Sequence, residues 1–261
     1  MRIELFELKE GGCLMEGMLK LYSPINELKQ IGENIWIVDG NEIHMSFKLF
    51  KVPFTTRMTV VKLDNNKLWI HSPIAFDKEL DDNIKELGKI EHIVAPNKYH
   101  CSYVLDWYKH YPDAKVWLAK GVRTKLKINE KENFISMDNI SETSWSEEIF
   151  FTPFRGSIAM EEMVFFHKKS STLILTDLIE SIEVNKLPLL YKLVFKFGDN
   201  KYPKFRTSRD LRSSFIFKKQ AKDSYSMIES WKPDKIVFSH GKIILENGTE
   251  KLKEAFYWLR K

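Results

Sequence analysis

The sequence predicts an α/β fold made of two mixed β-sheets that face each other, with helices on the outside. Between Leu68 and Ala119, strand-length apolar runs alternate with amphipathic helical stretches. That alternation argues for parallel strands joined by right-handed crossovers. The second half repeats the pattern of strand pairs followed by helical stretches, and no Pro/Ser-rich linker divides the 261 residues. The length is ample for one large domain and short for two. The expected organisation is therefore an N-terminal extension over residues 1–34 packed on a single domain over 35–261.

The elements follow in order. Leu14 to Leu21 fits a short helix or a strand after the Gly11-Gly12 breaker. Ile35-Trp36-Ile37-Val38 is an apolar strand closed by Asp39-Gly40. Arg57 to Leu63 alternates as a strand does, Asp64 to Lys67 is a turn, and Leu68 to His71 returns, giving a hairpin. Leu80, Ile84 and Leu87 recur at helical spacing over 77–87, and Gly88 stops the helix. Ile90 to Ala95 is a buried strand. Tyr103, Trp107 and Tyr111 form one stripe of a helix over 99–111, and Ala114 to Ala119 is the next strand. Glu147 to Thr152, Glu161 to His167 and Ser171 to Leu175 are strands, the last two joined by Lys168-Lys169-Ser170. Helices are expected over 187–197 and 209–231, a strand over 235–239, and a closing helix over 249–259 with Leu252, Phe256 and Leu259 inward.

Composition narrows the partners. Hydrophobic residues make up 43%, aromatics 13% and charged residues 30% of the chain, ordinary for a packed globular protein. A net charge of +5 is mild at this size and does not suggest a nucleic-acid binder, since such proteins concentrate their charge. The largest local excess, Lys192 to Arg212, reads as a basic face over an aromatic stripe. No apolar run approaches the ~18 residues of a membrane span. Cys13 and Cys101 lack metal-type spacing and suit a reducing compartment. With no signal-peptide pattern at the N-terminus, a cytoplasmic location is expected.

The informative polar residues sit at strand ends, where α/β folds build their sites. His71-Ser72-Pro73 follows one strand. Pro96-Asn97-Lys98-Tyr99-His100 joins a strand to a helix. Thr152-Pro153-Phe154-Arg155-Gly156-Ser157 follows a third strand, Asp177 ends Leu173 to Thr176, and His240-Gly241 ends Ile236 to Ser239. If these ends face one cleft, His71, Asn97, His100, Arg155, Asp177 and His240 converge. His44, His92 and His110 belong to no such group and read as surface residues. Arg57 and His167 read as structural, pairing with carboxylates or capping a hairpin. Cys101 reads as a small buried filler, with a ligand or nucleophile role as the alternative. No nucleophile elbow, Gly-rich phosphate loop or HExxH motif occurs.

The order of these segments resembles the metallo-β-lactamase-like hydrolase superfamily over roughly residues 35–259, and within it a divergent subgroup with a degenerate metal motif. The resemblance implies a four-layer αββα sandwich. It also implies a site built from an Asp after an early strand, a His-x-His-x-Asp-His loop, a His after Thr-Pro-Gly, an Asp ending a strand and a C-terminal His. Asp177 and His240 match the last two. His71 stands at the first position and Arg155 at the third. In the second motif either Asn97, Tyr99, Cys101 and Ser102 take the ligand places, or His100 is the last His; the sequence leaves both registers open.

The departures thin the donor set. Two ions ~3.5–4 Å apart need several neutral imidazoles and a bridging carboxylate. Asn is a poor zinc ligand and a guanidinium cannot ligate at all. Two functions follow. In the first, His71, His100, Asp177 and His240 hold one zinc or other divalent transition metal, with Asp177, His240 and His100 catalytic. The protein is then a hydrolase of an ester, thioester, lactone or phosphodiester, with a small and anionic substrate. In the second no metal binds, and Arg155 neutralises Asp177 as a planar ion pair. The chain then binds an anionic small molecule through Arg155, His71 and His240, with Asn97 alongside. Arg155 could instead pair with Glu161 or Glu162.

Overall fold

The computed structural model describes residues 19–47, 50–129, 134–138, 140, 142–187, 192 and 198–260. A seven-stranded sheet runs β1 (Lys29–Gly32), β2 (Ile35–Phe47), β3 (Phe50–Lys62), β4 (Lys67–His71), β5 (Lys89–Ala95), β6 (Lys115–Leu118) and β7 (Phe134–Ser136), hydrogen-bonded in that order. Its first four strands pair antiparallel and β4 to β7 pair parallel. A second sheet has β8 (Ile149–Phe154), β9 (Glu162–His167), β10 (Thr172–Ile174) and β11 (Lys235–Val237) in the order β11-β10-β9-β8, with only β10–β11 parallel.

Six α-helices lie among the described residues: α1 (Lys78–Leu87), α2 (Val104–His110), α3 (Val122–Leu126), α4 (Arg209–Ser214), α5 (Lys218–Ser230) and α6 (Gly248–Ala255). Asp77 caps α1, its carboxylate accepting from the Leu80 amide at 2.9 Å. Leu80, Ile84, Val104 and Trp107 bring α1 and α2 onto the first sheet, while Met163, Phe165 and Ile174 reach the same core from the second. The outer face of the second sheet, through Val164, Phe166 and Ile236, meets Ile228 of α5 and Leu252 of α6. The order of layers is helix, sheet, sheet, helix, the αββα arrangement expected.

The hairpin Arg57–His71 and the run of parallel strands form as the sequence predicts. Several boundaries differ. The strand beginning at Ile35 continues through Phe47 and pairs with a β3 that starts at Phe50. The helix expected from Tyr99 starts at Val104, because the backbone over 97–103 is wound into turns around the site. The expected helix over 209–231 is two helices. Phe215 drops into the core and the Phe217 amide donates to Gly156 O at 3.1 Å, which bends the chain. Short strands β1 and β7 lack a readable pattern. β8 runs on through Pro153 and Phe154, and as an edge strand it tolerates the proline. Most of the helix expected over 187–197 lies outside the described residues, as do the segment Leu14 to Met18 and Cys13. No helix among the described residues is long and apolar enough to cross a membrane.

His92 corrects the expectation of a surface residue. It is 1% exposed, and Trp117 Nε1 donates to its Nδ1 at 3.1 Å. Its strand, β5, is central, so a polar residue there must be paired inside. His110 stacks on Phe76 and His44 lies beside Glu42. Arg57 and His167 are structural as expected: Arg57 pairs with Asp39, and His167 Nδ1 meets Ser170 Oγ at 2.7 Å.

His71 sits between the sheets, its ring stacked on Trp69 at 5.5 Å and meeting the edge of Phe165 at 5.4 Å. Burial, helped by the charge of His100, pushes its pKa down to about 3. The unfolded chain therefore binds a proton at His71 below pH ~6.5 that the folded chain refuses until about 3. Stability from this group is complete above pH ~6.5 and is lost as pH falls through that window. In urea unfolding, the wild type should lose about 1.4 kcal/mol per pH unit relative to His71→Phe between pH 6 and 4, with a constant difference above pH 7.

Candidate functional site

The ends of β5, β10 and β11 bring three side chains together. One ligand-type atom each from His100, Asp177 and His240 lies within 4.8 Å of the others. His100 Nε2 is 3.0 Å and His240 Nε2 is 3.2 Å from the same oxygen, Asp177 Oδ1. His240 is buried, and the side chains of His100 and Asp177 are 12% and 15% exposed.

The other atoms of these groups are fixed too. His240 Nδ1 lies 3.0 Å from Thr55 O. His100 Nδ1 faces Ser72 Oγ at 2.9 Å and Ser239 Oγ at 3.4 Å. Asp177 Oδ2 accepts from Asn97 Nδ2 at 2.9 Å. Asn97 also donates to Thr176 Oγ1 at 2.8 Å, while its Oδ1 accepts from the amides of Tyr99 at 2.7 Å and His100 at 3.0 Å. Those two amides can only donate, so the orientation of the Asn97 amide is settled. Asn97 is thus a strut that ties the β5 loop to the β10 end, with no lone pair left for the cluster.

The electrostatics divide the two imidazoles. Burial opposes charge on His100, but the charge and hydrogen bond of Asp177, with the charge of Glu162 behind it, outweigh burial and raise its pKa. On His240, burial prevails over Asp177 and lowers the pKa. Burial pushes Asp177 upward as its largest single influence, yet both rings together hold it well below the usual carboxylate range.

A neutral imidazole carries one N–H. Both neighbours of His240, the Thr55 carbonyl and the Asp177 carboxylate, are acceptors. In either neutral tautomer one ring nitrogen therefore turns a lone pair toward an oxygen, and burial opposes the second proton that would relieve this. A cation shared by Nε2 and Asp177 Oδ1 relieves it. Nδ1–H donation to a backbone carbonyl is also how the ring of a metal-ligating histidine is usually held from behind. Two ligands ~2.0–2.1 Å from a tetrahedral ion lie roughly 3.3 Å apart, close to the observed 3.0 and 3.2 Å. The donor set fits one divalent ion with two nitrogens and one oxygen.

Not every sequence candidate joins. His71, expected as a fourth ligand, lies outside the group of three and is packed in the aromatic core. Arg155 does not neutralise Asp177: its side chain is 52% exposed and its Nε lies 3.6 Å from Glu161 Oε2. The groups facing Asp177 Oδ1 are the two imidazoles, and of these His100 is the one whose charge the carboxylate favours. Cys101 is buried, and burial pushes its thiol up to about 12, which favours the packing role over a thiolate ligand or nucleophile. In the Asn97–Ser102 loop, His100 is the residue delivered to the cluster.

Glu162 and Arg57 support the site, and sequence reasoning did not place either there. Glu162 is fully buried, accepts from the amides of Thr176 at 2.5 Å and Asp177 at 3.0 Å, and is pushed up to about 7 by burial and by Asp177. Arg57 binds Asp39 and sends Nη1 to Phe238 O at 2.6 Å and Gly241 O at 3.0 Å, on either side of His240. Thr55 Oγ1 adds a bond to Ser239 O at 3.3 Å. Strand β3 therefore holds the His240 loop. An acid inside an apolar strand and an Arg opposite an Asp on the next strand were the available signals.

Residues 33–210 match the domain of unknown function DUF4336. The chain belongs to the DUF4336 family. No curated protein matches it. Among solved structures it is similar to the DIM-1 metallo-β-lactamase exposed to ceftazidime, at 13% identity and a TM-score of 0.59, over 91% of this chain and 97% of that one. It is similar to the FIM-1 metallo-β-lactamase from Pseudomonas aeruginosa in the mono-zinc form, at 11% identity and 0.56, over 87% and 92%. It is also similar to a putative diflavin flavoprotein A 5 fragment from Nostoc sp. PCC 7120, at 10% and 0.54, over 89% and 94%. This DUF4336 domain thus has a metallo-β-lactamase-like fold.

Arg57→Gln leaves Asp39 buried with one cation fewer and frees two carbonyls. Removing one partner of a buried pair costs about 3–5 kcal/mol. Chemical denaturation should show a loss of that size for Arg57→Gln and a smaller one for Arg57→Lys.

Proposed function

We propose that this DUF4336 domain is a single-metal hydrolase whose ion is held by His100, Asp177 and His240. The observation that carries the reading is His240, whose two nitrogens both face acceptors in a buried place. When bound, a zinc-type ion supplies Lewis acidity, which polarises a substrate oxygen and makes water acidic enough to attack at neutral pH. The crystallised mono-zinc form of FIM-1 is a precedent for one ion in this fold.

The chain's own groups do the rest. Thr55 O keeps the proton of His240 on Nδ1, so Nε2 stays a donor to the ion. Asn97 holds Asp177 through Oδ2 and leaves Oδ1 for the cluster. The hydroxyl of Ser72 can give a hydrogen bond to His100 Nδ1 or take one from it, so it can carry a proton at that atom as the charge of the site changes. A cavity of about 30 Å³ adjoins the cluster, lined by Phe54, Ser72, Tyr99, Tyr103 and both histidines. That is room for about one water. The substrate is a small, anionic ester, thioester, lactone or phosphodiester.

Competition with a chromogenic chelator tests the reading. The wild type should take up one equivalent of zinc, and His240→Ala and Asp177→Asn should each weaken uptake by at least tenfold, the loss typical when even a supporting residue is removed. Wild-type uptake no tighter than that of His240→Ala would overturn the proposal. Because the ligands must be deprotonated, zinc affinity should fall as pH is lowered from 8 to 6. A panel of esters, thioesters, lactones and phosphodiesters run with the zinc-loaded protein then identifies the reaction.

A further inference from the structure

A second cavity, of about 370 Å³, is lined by Lys242 and Ile243 of the His240 loop and holds neither His100 nor Asp177 in its wall. Four cations face it, Lys29, Arg57, Lys186 and Lys242, against two carboxylates, Asp39 and Glu183. Asp39 is spent on Lys29 at 2.9 Å and Arg57 at 2.7 Å. Lys186 and Lys242 form no ion pair with a carboxylate among the described residues. Lys186 Nζ donates to Leu21 O at 3.2 Å and sits 4.4 Å from the centre of the Tyr22 ring, which also has the Arg57 guanidinium at 5.4 Å, and the Tyr22 hydroxyl is hydrogen-bonded to the Glu183 carboxylate. Lys242 Nζ is 3.5 Å from the Tyr202 hydroxyl. With Glu183 engaged by Tyr22, the lining keeps an excess of two positive charges, and Lys186 and Lys242 carry it without an ion pair.

We propose that this cavity is an anion-binding site, distinct from the His100–Asp177–His240 cluster, for a small phosphate-bearing ligand. The volume lies within the range of about 300–1,000 Å³ usual for small-ligand pockets. The cations select the ligand. The N–H groups of Arg57 are committed to Asp39, Phe238 O and Gly241 O, so no guanidinium fork is free for a planar carboxylate. What remains are lysines, which act as point charges and suit an anion with several charges and oxygens on more than one side. Arg57 joins this cavity to the carbonyls that flank His240, so a ligand here lies one side chain from the His240 loop.

Isothermal titration with inorganic pyrophosphate in buffer free of divalent ions tests the site. One molecule should bind per chain, more weakly as salt is raised. Lys186→Ala and Lys242→Ala should each cost about tenfold in affinity, the loss of one charge-assisted contact. Lys186→Arg and His240→Ala should bind as the wild type does. Binding lost in His240→Ala and kept in both lysine variants would place the anion at the histidine cluster and overturn the assignment. So would an absence of saturable binding by protein whose circular dichroism shows it folded. Tighter binding of citrate than of pyrophosphate would overturn the phosphate preference. None of these outcomes depends on zinc uptake, so this site and the metal centre stand or fall separately.

Discussion

Asp177 is a mostly buried carboxylate, and its charge must be met by a cation or be given up. An isolated ion in that place would cost far more than a domain's whole stability, so such a group is paired, protonated or bound to metal. Here two imidazoles meet the same oxygen. One of them, His240, is fixed from behind by a carbonyl that can only accept. The arrangement leaves one lone pair too many unless something positive stands between ring and carboxylate. The chemistry assigned to the site follows from that requirement.

The scaffold serves to hold the three groups against their mutual strain. Asn97 spans β5 and β10, and Glu162 on β9 receives the amides of Thr176 and Asp177. The long hairpin β2–β3 reaches across from the other sheet, where Thr55 and Arg57 grip the backbone from Phe238 to Gly241. Each strut is a buried polar group with its partner supplied, which keeps such a network from becoming a liability. The αββα architecture places the end of β5 beside the ends of β10 and β11, and the site bridges the two sheets.

The layers, most strands and the helix α1 were legible because hydrophobic period is a local signal. The order of polar loops was legible as well, and it brought Asp177, His240 and His100 together. What the sequence hid is set by direction. His71 and His100 both follow parallel strands, yet His71 turns between the sheets against Trp69 while His100 turns toward Asp177. Arg155 follows an edge strand and turns to solvent and Glu161. Glu162, one residue further, alternates inward, as neighbours on an extended chain do. A one-dimensional pattern shows that such residues lie at strand ends but not which way each one faces.

Anomalous diffraction at the zinc edge, from crystals grown with one equivalent of zinc, shows whether an ion stands between the rings and the carboxylate. One peak is expected at bonding distance from His100 Nε2, His240 Nε2 and Asp177 Oδ1, with Nδ1 of His240 still on Thr55 O. No peak there, with both rings still closed on Asp177 through protons alone, would contradict it.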